Sequence, residues 1–171
     1  IWNGAFDLGG GKKLDLSKAH KLPFTLGHEI VGTVIGLGDK NPETLLGNEV
    51  VVYPWIGCGK CYSCKLGDEN LCGEPRNLGV NCNGGFSTHV IVPDKKYLFP
   101  IGNVLPDLAA TYACSGLTAY SALKKVGSKG NFDYLLIIGA GGVGLSALVL
   151  AQNMMNSTII VADIDPLKRK A

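Results

Sequence analysis

Apolar and polar positions change rhythm twice along this chain. Through residues 1–104 the apolar residues come in short β-branched or aromatic runs, Glu29–Gly36, Glu49–Tyr53, Phe86–Pro93 and Lys96–Phe99, bounded by Gly, Pro, Asn or Asp. Runs of this length between turn residues predict the strands of a barrel-like all-β domain. From Asp107 to Lys125 the chain turns to Ala and Leu, with Leu108, Tyr112, Leu117, Tyr120 and Leu123 near helical spacing. That spacing predicts a helix, with Gly116 expected to interrupt it. Beyond a Gly127–Gly130 loop come a continuous apolar run at Tyr134–Ile138, a glycine cluster, a helical stretch at Leu145–Met155 and a second apolar run at Thr158–Ala162. This order predicts a βαβ unit, and Asp165–Ala171 reads as the start of a further helix.

Composition narrows the class. With 171 residues, 46% hydrophobic and 18% charged, the chain has apolar mass for one full core and part of a second, which excludes a disordered or fibrous protein. The net charge is +2, and the 16 basic residues are interleaved with 14 acidic ones, so no basic run is offered to a nucleic acid or an anionic membrane. Glycine, at 24 residues, is about twice its usual share and has no collagen-like period, which points to tight turns and functional loops. The uncharged stretch Leu135–Ala151 contains Gly139, Gly141, Gly142 and Gly144 and is too short and broken for a membrane span. No signal-peptide pattern precedes it, so a soluble, cytoplasmic protein is expected. The chain lacks an initiating Met and both ends fall inside a pattern, so it is expected to be a fragment.

Cys58, Cys61, Cys64 and Cys72 form C-x₂-C-x₂-C-x₇-C in the loop-rich stretch 55–75. Overlapping C-x₂-C turns place sulfurs on one side of an ion, and a return cysteine completes a tetrahedral zinc shell. An iron–sulfur cluster and disulfides are the competing readings. A closed four-sulfur site leaves no open position for substrate, so its role is structural, contributing on the order of 10 kcal/mol to ordering the loop. A nucleic-acid-binding ribbon would be basic, whereas between Trp55 and Pro75 Lys60 and Lys65 face Asp68, Glu69 and Glu74.

Gly139-Ala140-Gly141-Gly142-Val143-Gly144 gives G-x-G-x-x-G between a predicted strand and a predicted helix. Here Gly139 permits the turn, Gly141 lets backbone approach a pyrophosphate at a helix N-terminus, and Gly144 lets helix and strand pack closely. Asp163, nineteen residues after Gly144 at the end of the next strand, suits the ribose hydroxyls of the adenosine and would repel a 2′-phosphate, which favours NAD over NADP. The competing reading is a turn that only packs helix on strand. Lys168 is within reach of a ribose hydroxyl, although Lys168 and Arg169 also read as solvated helix residues.

Two further residues carry metal-ligand chemistry. His28 follows Gly27 and precedes Glu29 at the start of a predicted strand, where a metal ligand with a nearby carboxylate and an ordinary structural histidine are both open readings. Cys114, in Tyr112-Ala113-Cys114-Ser115-Gly116, reads on its own as a small buried hydrophobe or as a ligand. Cys82, His20 and His89 have no partner signature.

Taken in order, Leu26-Gly27-His28-Glu29-Ile30-Val31-Gly32, the four-cysteine lobe, Ala113-Cys114-Ser115-Gly116-Leu117-Thr118-Ala119-Tyr120 and the glycine loop make the chain resemble the zinc-containing alcohol dehydrogenases of the medium-chain dehydrogenase/reductase family. The resemblance spans the whole chain and implies an α/β protein. A GroES-like β-barrel catalytic domain over 1–104 would be followed, over 105–171, by the first βαβ unit of an incomplete Rossmann domain. It makes His28 and Cys114 two of three protein ligands of a catalytic zinc, with Glu29 as the carboxylate beside the metal. The third ligand, a cysteine, would lie upstream of Ile1. It places Trp55, for which ordinary packing is the competing reading, in the wall of the substrate pocket and assigns NAD to Gly139, Gly141, Gly142, Val143, Gly144, Asp163 and Lys168. The implied activity is zinc-assisted hydride transfer between an alcohol, or the matching aldehyde or ketone, and NAD, in a homo-oligomer, dimer or tetramer, without nucleic-acid or membrane partners.

A zinc-free quinone reductase of the same family is the near rival, but such enzymes typically lack the lobe cysteines and the His28 and Cys114 types. A non-catalytic zinc- and nucleotide-binding module is the rival from another class. The isolated chain, with two Rossmann strands, is expected to be marginal or aggregation-prone in its last third, to be inactive alone and to retain one tightly held zinc in the lobe.

Overall fold

The computed structural model describes residues 5–15, 22–38, 43–127 and 132–170. His20, residues 128–130 of the predicted loop and both chain ends, for which the sequence carries expectations, lie outside the described residues. The chain divides into two compact units, Ile1–Ala110 and Thr111–Ala171.

In the first unit, β1 (Ala5–Asp7) and β2 (Lys13–Asp15) form an antiparallel hairpin that the hydrophobic pattern does not announce. Its turn passes through Gly9, Gly10 and Gly11, all at positive φ, and the Gly9 amide donates to Asp7 Oδ1 at 2.8 Å. A three-stranded antiparallel sheet follows in the order β3 (Ile30–Thr33), β4 (Glu49–Val52), β5 (Leu98–Pro100). Its register sets Ile30 opposite Val52 and Val52 opposite Leu98. Strand alternation sends Val50 and Val52 to the same face, and Val52 joins Ile30, Ile56, Leu78 and Tyr97 in the buried core. Between β4 and β5 the cysteine lobe carries one short helix, α1 (Tyr62–Lys65).

The strand expected over Phe86–Pro93 does not form, and the described residues contain small sheets instead of a closed barrel. The amides entering that run are already committed: Gly84 donates to Thr25 O, Gly85 to Gly27 O and Phe86 to Leu26 O at 2.8–2.9 Å. Ser87 Oγ then bonds the carbonyls of Gly84 and His89, a local alternative to a sheet ladder. Lys96–Phe99, expected as a strand, begins as a 3₁₀ turn at Lys95–Tyr97, held by Asp94 Oδ1 accepting from Lys96 N at 2.9 Å, and only then enters β5.

From Pro106 the chain is helical to Gly127: α2 (Pro106–Thr111), a π-helical turn at Tyr112–Gly116, and α3 (Leu117–Gly127). Gly116 therefore does not break the helix; the chain takes a wider turn there and continues. In the second unit β6 (Tyr134–Ile138) pairs in parallel with β7 (Thr158–Ala162), and α4 (Gly142–Met154) packs against both strands and α3. Ala119, Leu123 and Ala151 are buried there. Among the described residues, Asp165–Lys170 contains a single 3₁₀ turn, Lys168–Lys170, where a helix is expected to start. No helix among the described residues is long and apolar enough to cross a membrane.

Candidate functional site

The four lobe cysteines converge. Cys58 precedes the turn at Gly59, Cys61 and Cys64 flank and occupy α1, and Cys72 closes the 3₁₀ turn Glu69–Leu71. All four sulfurs lie within 4.8 Å of one another, with Cys61 Sγ 3.4 Å from Cys64 Sγ and 3.8 Å from Cys72 Sγ. Those separations are far beyond the roughly 2.05 Å of a disulfide. They match the edge, about 3.8 Å, of a tetrahedron with metal–sulfur bonds of about 2.3 Å, and so fit a single ion.

Backbone amides point at the same sulfurs: Cys58 N and Glu74 N donate to Cys72 Sγ at 3.2 and 3.3 Å. The amides of Lys60 and Cys61 pull the Cys58 thiol down to about 6, whereas burial pushes the Cys64 thiol up to about 12. A Cβ at Gly57 would stand 2.4 Å from Cys64 Sγ, so the lobe closes only around glycine there.

His28 is half-buried two residues before β3, and Glu29 between it and the strand is exposed. The His28 ring lies 5.4 Å from that of Trp55, tilted by 51°. The backbone leading into His28 is seated among glycines. Gly27 has φ +98, a Cβ at Gly79 would come 2.3 Å from Gly27 O, and one at Gly84 would come 2.1 Å from the same atom. Thr25 N also donates to Asn83 Oδ1 at 3.0 Å.

In the second unit the glycines of the loop divide their roles. Gly139 has φ +101, and a Cβ at Gly139, Gly141 or Gly142 meets nothing within 4 Å, so the surface above the turn is open to a ligand. A Cβ at Gly144 would come 1.8 Å from Gly139 O, so this position is closed by packing. Asp163 ties the turn to β7: its Oδ2 accepts from Ala140 N at 2.7 Å and its Oδ1 from Asp165 N at 2.8 Å. Those two amides, with Lys168 Nζ 4.0 Å away, hold its carboxyl below the usual carboxylate range. Val143 is exposed on the first turn of α4, and Cys114 sits half-buried in the π turn.

The structure thus brings together Cys58, Cys61, Cys64 and Cys72; His28 with Trp55; and the glycine loop with Asp163 and Lys168. His28 and Glu29 belong to the first unit and Cys114 to the second. Among the described residues the lobe cysteines are the one group of three or more metal-ligating side chains whose ligand atoms converge. A cavity of about 400 Å³ lies elsewhere in the first unit, lined in part by Val34, Val50, Val90 and Leu98, and includes none of the candidate site residues.

Two features escape a motif reading. One is the seat formed by Gly79, Gly84 and Gly85 beneath Gly27; the Asn83-Gly84-Gly85 triplet is its sequence signal. The other is Glu69, whose carboxylate accepts from Gly57 N, Lys96 Nζ and Tyr97 Oη at 2.9, 2.5 and 2.5 Å. An acid three residues before the last lobe cysteine is its only trace.

Residues 5–103 match the family described as alcohol dehydrogenase GroES-like domain. The chain belongs to that family. It is 42% identical over 145 residues to an NAD-dependent alcohol dehydrogenase of Saccharolobus solfataricus, covering 84% of this chain and 42% of that protein. An NAD-dependent alcohol dehydrogenase of Sulfolobus acidocaldarius is 38% identical over 143 residues, with the same shares. The crystal structure of the D-arabinose dehydrogenase from Sulfolobus solfataricus superposes with a TM-score of 0.82 at 29% identity, covering 90% of this chain and 48% of that one. The chain therefore spans less than half the length of these relatives.

Proposed function

We propose that this chain is part of an NAD-dependent zinc oxidoreductase that moves hydride between a primary or secondary alcohol, or the matching aldehyde or ketone, and the nicotinamide ring. The observation that carries the reading is the glycine turn: open above Gly139, Gly141 and Gly142, closed by packing at Gly144, and fastened to the carboxylate of Asp163. The names of the archaeal relatives support it.

His28 and Cys114 would hold a catalytic zinc with Glu29 beside it, and Cys58, Cys61, Cys64 and Cys72 a structural one. When bound, zinc supplies Lewis acidity and NAD the hydride acceptor. The amides at the start of α4, around Gly142 and Val143, would hold the pyrophosphate. Asp163 would accept from the ribose hydroxyls and repel a 2′-phosphate, which would select NAD over NADP, and Lys168 would reach the same sugar. Trp55, whose ring lies beside that of His28, would form an aromatic wall of the substrate pocket suited to apolar alcohols. The complete protein is read as a cytoplasmic homo-oligomer, dimer or tetramer, with a small-molecule substrate and no nucleic-acid or membrane partner.

An alcohol panel with NAD and NADP on the complete gene product, with and without a chelator, tests the reading. An NAD-dependent rate that disappears on metal removal is expected. A rate indifferent to the chelator would favour a zinc-free quinone-reductase-like enzyme. Nucleotide and metal binding without turnover would favour a non-catalytic module.

A further inference from the structure

Glu69 belongs to the cysteine lobe by sequence, between Cys64 and Cys72, yet its carboxylate is spent outside the ligand set. Oε1 accepts from Lys96 Nζ at 2.5 Å, while Oε2 accepts from Tyr97 Oη at 2.5 Å and Gly57 N at 2.9 Å. Burial works against its ionised form, but these donors more than offset that and bring the carboxyl down to about 2.

Both ends of the bond network lead to Trp55. Tyr97 is buried in the core, its ring stacks on Tyr53 at 6.3 Å, and its carbonyl accepts from Tyr53 N at 2.8 Å. Gly57 adjoins Ile56, which is 1% exposed, and the Ile56 carbonyl accepts from Arg76 N at 2.7 Å. Trp55 therefore lies between Gly57, whose amide Glu69 binds directly, and Tyr53, whose amide is bonded to the main chain of the Glu69 partner Tyr97, while Pro54 O beside it also accepts from Ile56 N and Leu78 N at 3.0 Å; its ring is presented to His28 at 5.4 Å. On the other side, the Glu69 carbonyl accepts from Cys72 N at 3.1 Å, so Glu69 and the last of the four sulfur-bearing residues share one 3₁₀ turn.

We propose that Glu69 is a positioning residue that couples the metal state of the four-cysteine lobe to the placement of Trp55 against His28. This rests on the lobe holding zinc as read above. With the sulfurs drawn onto one ion, the 3₁₀ turn at Glu69 is fixed and the carboxylate pins Gly57 and Tyr97. With the ion gone, the turn loosens, the pin is lost, and Trp55 leaves its fixed orientation.

The test uses the full chain with Trp2→Phe, so that Trp55 is the single emitting indole. Zinc analysis of this parent comes first: a parent without bound zinc refutes the lobe reading itself, and the coupling with it. Given bound zinc, chelation is expected to raise the acrylamide quenching constant of Trp55 about twofold, as a pinned side chain becomes locally mobile. Zinc-loaded Glu69→Gln is expected to show that higher constant already, with no further rise on chelation. It should also lose zinc roughly tenfold faster, the usual scale for groups that support metal ligands. Tyr97→Phe removes one donor while keeping the ring, and decides the matter if Glu69→Gln does not fold; it is expected to move the constant part of the way. A parent whose Trp55 quenching ignores chelation, or zinc-loaded variants that quench like the parent, would overturn the coupling while leaving the metal site intact.

Discussion

Replacing Gly84 with Ala places a methyl carbon 2.1 Å from Gly27 O and 2.5 Å from the Gly79 Cα, both backbone atoms that no side-chain rotation can move aside. The backbone of Gly84 is not left-handed, so the penalty is steric and comes from forcing two loops apart. Three hydrogen bonds cross that contact, from Gly84, Gly85 and Phe86 to Thr25, Gly27 and Leu26. At about 1 kcal/mol each for the bonds, with about 1–3 kcal/mol for overpacking, the loss is roughly 4–6 kcal/mol. This compares with the roughly 5–15 kcal/mol that holds an ordinary domain folded. Urea unfolding of the zinc-loaded chain, followed by Trp55 emission with Trp2→Phe, would show a midpoint lowered by about 2–3 M at a slope of about 2 kcal/mol/M. Gly32→Ala is the control: that glycine lies in β3 at an ordinary φ with nothing within 4 Å of an added carbon. It is expected to change stability by less than about 1 kcal/mol. A Gly84→Ala chain as stable as the control would refute the packed seat beneath His28.

Gly144→Ala drives a carbon to 1.8 Å from Gly139 O. NAD affinity in the complete gene product, measured by cofactor titration, should fall at least about tenfold, equivalent to roughly 1.4 kcal/mol; unchanged affinity would show that the loop does not bind nucleotide. Asp163→Asn leaves one good acceptor where two amides now donate, at a cost of about 1–3 kcal/mol, so the Ala140 amide should exchange hydrogen faster with no nucleotide present. The folded-state value of Glu69, about 2, lies below its ordinary 4.5. Its ionised form therefore stabilises the fold at pH values above 4.5, and that contribution is lost as pH falls from 4.5 toward 2. Acid unfolding curves of Glu69→Gln should lack this part of the pH dependence, and a superimposable curve would contradict the triple hydrogen bond.

What can be read in advance is set by local chemistry. β6 and β7 occupy the predicted Tyr134–Ile138 and Thr158–Ala162, because unbroken β-branched and Leu runs beside a glycine turn admit few other structures. The cysteine spacing is legible for the same reason, since C-x₂-C turns bring sulfurs together with little help from the rest of the chain. Phe86–Pro93 misleads because its β-branched residues look like a strand, while the destination of the Gly84–Phe86 amides depends on Thr25–Gly27, some 58 residues earlier. The β1–β2 hairpin escapes notice because Lys13 and Asp15 flank a single apolar Leu14, leaving only three successive glycines as a signal. The wide turn around Cys114 looks in the sequence like a break at Gly116, since a one-residue change of helical phase leaves almost no mark on so short a pattern. Glu69 looks like one more lobe acid because its partners, Lys96 and Tyr97, lie 27 and 28 residues downstream.

The lobe is the most exposed part of the account to direct measurement. Metal analysis together with zinc-edge X-ray absorption on the purified 171-residue chain should find one tightly held zinc surrounded by four sulfurs at about 2.3 Å. Iron in its place, nitrogen or oxygen neighbours at that ion, or thiols that titrate freely with no metal bound would contradict it.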